Sequence, residues 1–206
     1  GSLAACSNNN NDGGSNDDAK IGKGVKIGMV TDSGTITDKS FNQGTWEGIV
    51  MAEKDFGIKK TYLKPDGETT DDYLNNIDNL VGADHGLVIT PGYKFGEAVY
   101  LAQDIHPDTK FVIIDAAPNQ EFVEKINDNV VSVFFAEQEA GFLAGVAGAL
   151  ESETGKLGFI GGMEIPAVQN FGWGFTAGVA YANATYGTDA QVLDYIYQGT
   201  FYEVDA

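Results

Sequence analysis

Gly86–Thr90 (GLVIT), Lys110–Asp115 (KFVIID) and Val130–Phe135 (VVSVFF) are short, almost unbroken apolar runs. Between the first two, Phe95–Ile105 (FGEAVYLAQDI) spaces its apolar side chains as a helix does. Unbroken rather than alternating hydrophobicity marks strands covered on both faces, the pattern of parallel sheets. The same alternation extends outward in both directions. Val25–Thr31, Lys60–Lys64, Lys156–Gly161 and Gln191–Gln198 read as further strands, and Lys39–Phe56, Asp71–Val81, Glu137–Glu151 and Ala167–Tyr186 as further helices. Strand–helix repetition of this kind predicts an α/β fold built on doubly wound parallel sheets. Asp38 stands where it could cap the helix holding Phe41, and Thr69 or Thr70 could cap the next, ahead of Asp71 and Asp72. Ala140, Gly141, Ala144, Gly145, Ala147 and Gly148 give the helix from Glu137 a small-residue surface, expected to lie close against a sheet or a neighbouring helix.

The chain has 206 residues, enough for one domain or two compact lobes at roughly 100–200 residues each. A lobe break is expected near Phe134–Glu137, after five strands, giving a lobe at 21–135 and a second at 136–206. The second holds only two predicted strands, which reads as an incomplete sheet and a piece of a longer polypeptide. Residues 1–20 differ from the rest. Leu3-Ala-Ala-Cys6 has the form of a bacterial lipobox, with Cys6 as the site of lipid attachment, and Ser7–Lys20 is a polar tether whose one apolar residue is Ala19. The longest apolar stretch, Ala136–Leu150, contains two glutamates and falls short of the ~20 residues a membrane span requires.

Charge and residue inventory narrow the function. A net charge of −18 repels nucleic-acid polymers and anionic lipid surfaces. All 12 basic residues are lysines; with no arginine to grip phosphate or carboxylate bidentately, a neutral, hydroxyl-rich ligand is favoured. His85, His106 and Cys6 assemble no zinc or thiol–imidazole centre, so no metal and no cofactor is expected. No nucleophile elbow, P-loop or zinc-protease motif occurs, and the glycines at 22, 24 and 28 lie before or within the first strand instead of following it. Asp32 and Asp115 could be drawn as an acid–base pair, but carboxylates at strand ends are commonplace. The expectation is a binding protein, not an enzyme.

In open parallel sheets, ligands bind outside the carboxyl ends of the strands. That rule selects Asp32 with Ser33-Gly34, Pro91-Gly92-Tyr93, Asp115 to Pro118, Gly161-Gly162-Met163 and Thr200-Phe201. Asp32–Gly44 is the densest of these segments. It offers a carboxylate at a strand end, a flat ring at Phe41, and neutral donors and acceptors at Ser40 and Asn42. Such a set suits a planar heterocycle with polar edges. On the residues alone a plainer reading carries somewhat more weight: Phe41 as core beside Trp46, Ile49 and Val50, with Asp32 and Asp38 as caps.

Four ordered motifs go further. They are Asp32-Ser-Gly…Asp38-Lys-Ser-Phe-Asn42-Gln; Phe111-Val-Ile-Ile-Asp115; Phe135-Ala-Glu-Gln-Glu-Ala-Gly-Phe-Leu-Ala-Gly145; and Gly158-Phe-Ile-Gly-Gly162 with Gly172-x-Gly-Phe-x-x-Gly178. From about Val25 onward the chain resembles the basic membrane protein family, the purine nucleoside receptor lipoproteins of bacterial ABC importers. The resemblance implies a type I periplasmic binding-protein fold whose two lobes close on a nucleoside. It implies that Phe41 and Phe201 sandwich the base, that Asp32 and Asp115 hydrogen-bond the ligand, and that Ser40 and Asn42 flank the stacking ring. Gly92 and Met163 join the expected binding set as strand-end positions. The family's ribose-holding aspartate and lysine match positions beyond Ala206. The implied partners are a nucleoside, permease subunits and, through the lipid on Cys6, the outer face of the cell membrane. Other readings are the same fold with riboflavin or a free nucleobase, a nucleoside hydrolase, and a surface lipoprotein for adhesion or signalling.

Overall fold

The computed structural model describes residues 20–201 except 122; Cys6 and most of the predicted tether lie outside them. The chain divides into two units, with the boundary between Val133 and Phe134.

The first unit is a five-stranded parallel sheet. In chain order it holds β1 (Lys26–Val30), α1 (Phe41–Phe56), β2 (Lys59–Leu63), α2 (Thr70–Gly82), β3 (Leu87–Pro91), α3 (Gly96–Ile105) and β4 (Lys110–Ile114). It ends with a small antiparallel pair, β5 (Asn119–Gln120) and β6 (Val123–Glu124), and β7 (Val130–Val133). The sheet order is β2-β1-β3-β4-β7, so the chain winds one way from β1 to β2 and the other way from β3 onward. Alternate strand residues serve opposite faces, as a period of two dictates. Ile27 and Met29 pack with Ile49 of α1 and with Ile58 on one face. On the other, Val30, Val88, Phe111 and Ile113 pack with Tyr73, Ile77 and Leu80 of α2 and with Val99 and Ala102 of α3. At about 1.5–3 kcal/mol for each large side chain taken out of water, this second layer is the larger of the unit's two hydrophobic contributions. Gly28 lets α2 come close, because a Cβ there would lie 2.8 Å from Leu80 Cδ1.

Local signals set the helix ends. Thr69 accepts from the Asp72 N–H while the Asp72 side chain accepts from the Thr69 N–H, a complete capping box that starts α2. The predicted Asp38 cap takes another form. Ser40 occupies the cap position of α1 with no side-chain bond, and Asp38 reaches in from two residues upstream to accept from the N–H groups of Ser40 (2.8 Å) and Gln43 (3.1 Å).

The second unit holds α4 (Glu137–Glu151), β8 (Lys156–Gly161), α5 (Pro166–Tyr186) and β9 (Gln191–Tyr197), with β8 and β9 parallel. Gly141 and Gly145 of α4 face α5. A Cβ on Gly145 would lie 2.1 Å from the Phe175 carbonyl oxygen, and one on Gly178 2.1 Å from that of Phe142. Spaced four apart in each helix (Gly141 and Gly145, Gly174 and Gly178), these glycines bring the two backbones into direct contact. Ala149, Val179, Ala182 and Ala190 form the buried centre beside them. Covering on both faces is not general. Ile160 of β8 is 71% exposed and Val131 of β7 58%.

The structure thus has the α/β architecture with a parallel sheet that the apolar runs predict. Each predicted strand and helix in the described residues is present, with ends differing by at most two residues. The β5–β6 pair and a single 3-10 turn at Tyr93–Phe95 are additions. Among the described residues, no helix is long and apolar enough to cross a membrane.

Candidate functional site

The winding direction reverses between β1 and β3, and at such a reversal the loops that follow the two strands diverge and leave a crevice. Asp32 follows β1 and Gly92 follows β3 on either side of this point, with Asp115 after β4, the next strand. The Gly92 N–H donates to the Ile114 carbonyl at 2.8 Å, and its φ of 111° is one that only glycine adopts readily. A Cβ at Gly92 would stand 3.9 Å from Asp32 Oδ2. Asp115 is half-buried with φ 63°, a left-handed turn that ends β4, and its N–H donates to Val133 at 2.7 Å.

The loop from Asp32 to Gln43 is tied by its own side chains. Asp32 Oδ1 accepts from the Gly34 N–H at 2.8 Å and from Asn42 Nδ2 at 2.6 Å. Asn42 Nδ2 also donates to Asp38 Oδ2 at 2.7 Å, and Asn42 Oδ1 accepts from the Asp32 N–H at 3.2 Å. Among the described residues nothing donates to Asp32 Oδ2. Burial is the largest single influence on the Asp38 carboxyl and pushes its pKa up. The hydrogen bonds from the Asn42 side chain and from the backbone of Gln43, Ser40 and Asn42 together outweigh it and hold the pKa below the ordinary 3.8. On the flank, Lys94 donates to Ser33 Oγ at 3.4 Å and pairs with Glu68. That bond, ahead of the opposing burial, draws the Glu68 pKa below its ordinary value.

Phe41 opens α1 and is 42% exposed. It is absent from the core cluster that contains Ile49 and Trp46, and Val50 is exposed as well. The alternative of Phe41 as ordinary core therefore loses its footing. Ser40 is exposed beside it. The first unit thus presents, at its topological switch point, an accessible ring, a carboxylate oxygen with no donor among the described residues and a neutral hydroxyl. Chemically this can stack a planar group and accept hydrogen bonds from it. No charge in the set matches a phosphate.

In the second unit, the loops after β8 and β9 pair with each other. Gln198 N–H donates to Gly161 at 2.8 Å and Gly199 N–H to Gly162 at 2.7 Å. Phe201, 49% exposed, lies against Gly162, where a Cβ would come 2.4 Å from its Cδ1. Met163 is half-buried in the same loop. The sequence reading missed Gly162 as the seat of Phe201, though the Gly161-Gly162 doublet at a strand end was a signal for close approach. It also missed Lys94, which stands in the 3-10 turn and reaches back to Ser33 across 61 positions of chain. Cys6 lies outside the described residues.

Residues 25–203 match the family model Bmp, described as ABC transporter substrate-binding protein PnrA-like. A CD4+ T-cell-stimulating antigen of Listeria innocua is 34% identical over 92% of this chain and 52% of its own length. An ABC transporter nucleoside-binding protein, BmpA, of Lactococcus lactis is 32% identical over 97% of this chain and 53% of its own. The crystal structure of an ABC transporter solute-binding protein from Aeropyrum pernix K1 superposes with a TM-score of 0.68 at 27% identity, covering 87% of this chain and 49% of that one. The fold is that of type I periplasmic binding proteins. The chain spans about half the length of the curated relatives it matches. With the family model covering all but the first 24 and last three residues, the chain belongs to the Bmp family of PnrA-like ABC transporter substrate-binding proteins.

Proposed function

We propose that this protein captures nucleosides, purines foremost, and presents them to an ABC permease at the outer face of the cell membrane, to which a lipid on Cys6 anchors it. The observation that carries this reading is the switch point of the first unit. There an accessible Phe41 opens a helix beside Asp32, one of whose oxygens has no donor among the described residues. A purine is a flat ring edged with N–H groups, and its ribose adds hydroxyl donors, so one ring and one carboxylate address both parts. The proposed binding set also includes Asp115, Ser40 and Gly92 of the first unit, and Phe201, as a second stacking ring, and Met163 of the second. The relative from Lactococcus lactis that bears the name nucleoside-binding supports the same class. The absence of arginine argues for an unphosphorylated ligand. The protein does no chemistry on the nucleoside. Ligand contacts made only in the closed state shift the population toward it, and the permease recognises that state.

The test is calorimetric titration of the full-length protein with inosine, guanosine, adenosine, cytidine and riboflavin, with chromatography for free base after incubation. One-to-one heat with the purine nucleosides and no free base is the expected result. Heat with riboflavin alone would move the protein to another planar ligand, and release of hypoxanthine from inosine would make it a hydrolase.

A further inference from the structure

Asn42 is the second residue of α1 and is 1% exposed, although its neighbours Ser40 and Phe41 are both exposed. A side-chain amide carries two N–H donors. Both are spent here within hydrogen-bond distance of carboxylates, 2.6 Å from Asp32 Oδ1 and 2.7 Å from Asp38 Oδ2. Its oxygen is engaged as well, by the Asp32 N–H. One nitrogen therefore sits between two carboxylate oxygens that would otherwise repel each other. Gly34 closes the arrangement from above. A Cβ there would lie 2.5 Å from Asn42 Nδ2, 2.7 Å from Asp38 Oδ2 and 3.2 Å from Asp32 Oδ1. Of the other charges on this loop and its flanks, Lys94 pairs with Glu68 beside Ser33, Glu47 accepts from the Gln43 amide whose oxygen accepts from the Lys39 N–H, and Lys39 itself is exposed.

We propose that Asn42 makes no contact with the ligand and is a positioning residue, whose amide bridges Asp32 and Asp38 and so fixes Asp32 with Oδ2 as the oxygen presented to the ligand. The proposal rests on the reading of Asp32 as a ligand acceptor. It departs from the expectation, drawn from family resemblance, that Asn42 flanks the stacking ring as a binding group. It also accounts for Gly34, since no other residue leaves room over the bridge.

The test is the pH profile of inosine affinity for the full-length wild type and Asn42→Asp, from pH 5 to pH 8, with a melting curve at each pH. Asn42→Asp keeps the shape and exchanges the two donors for an acceptor, which places three carboxylates around one point. At pH 8 they repel and Asp32 leaves its position; near pH 5 a shared proton rebuilds one O–H···O link. The expected result is affinity about 30-fold below wild type at pH 8, recovering to within about fivefold at pH 5, against a flat wild-type profile. Equal loss at both pH values in a folded variant, or no loss at all, would overturn the proposal. Gly34→Ala serves where Asn42→Asp does not fold at pH 8. Its methyl displaces the amide, and it should bind inosine at least about tenfold more weakly at every pH; wild-type affinity would overturn the bridge. A wild type that binds no nucleoside sinks the functional reading and the proposal with it. Failure in the variants alone leaves that reading standing.

Discussion

At Asp38, burial and hydrogen bonding pull in opposite directions, and the outcome sets a pH dependence. The carboxyl titrates below its ordinary 3.8 in the folded chain because the donors of Asn42, Gln43 and Ser40 need it ionised. A depressed folded pKa contributes stability above the unfolded value and loses it as pH falls through the folded one. Asp38→Asn should therefore lower the melting temperature at pH 7 and narrow its gap to wild type as the pH falls below the ordinary 3.8, read by calorimetry on both sides of that value. A constant gap would mean that the carboxylate charge has no part in holding the loop. Residues of this loop also show what a linear sequence conceals. Asp32, Phe41 and Gly92 could be picked out in advance, because a strand end, a first helical turn and a Gly after a strand are local features. The work of Asn42 could not, because it depends on which atoms meet across ten positions of chain. Phe41 was undecided between core and surface until its exposure was known.

Among the elements, α4 and α5 carry the plainest energetic statement. Their glycines differ in what surrounds them, so one substitution has opposite effects at two positions. Gly145→Ala puts a methyl 2.1 Å from the Phe175 carbonyl oxygen and forces the helices apart; it should cost about 1–3 kcal/mol or more. Gly148→Ala meets Leu157 at 3.6 Å, an ordinary contact, and removes glycine from a helix interior, a gain of about 0.5–1 kcal/mol. Denaturant melts of the two variants check both signs. That α4 packs closely against something was readable from its small residues. That the partner is α5 and not a sheet became clear only when two four-residue glycine spacings were seen to cross. The parallel strands were readable because each is a short apolar run between helical patterns. Asn119–Gln120 and Val123–Glu124 have neither length nor periodicity, and nothing local announces them. The small Ile160 and Val131 departures have the same root: an apolar residue announces a strand, while what covers its outer face is decided elsewhere in the fold.

Across the whole molecule, composition and topology point the same way. A charge of −18 repels polyanions, and the sheet order β2-β1-β3-β4-β7 puts Asp32 and Gly92 either side of the crevice that doubly wound sheets use for ligands. The chain belongs to the Bmp family of PnrA-like ABC transporter substrate-binding proteins, and Phe41 is the residue on which the nucleoside proposal turns. The decisive measurement is a side-by-side titration of inosine into full-length wild type and Phe41→Ala, with melting curves of both. Stacking contributes about 1–3 kcal/mol per base, so the variant should bind about 10- to 100-fold more weakly. Its melting temperature should move little, because a ring 42% exposed adds little to the core. Equal affinities in two folded proteins would contradict the account, for they would show that the base lies somewhere other than on Phe41.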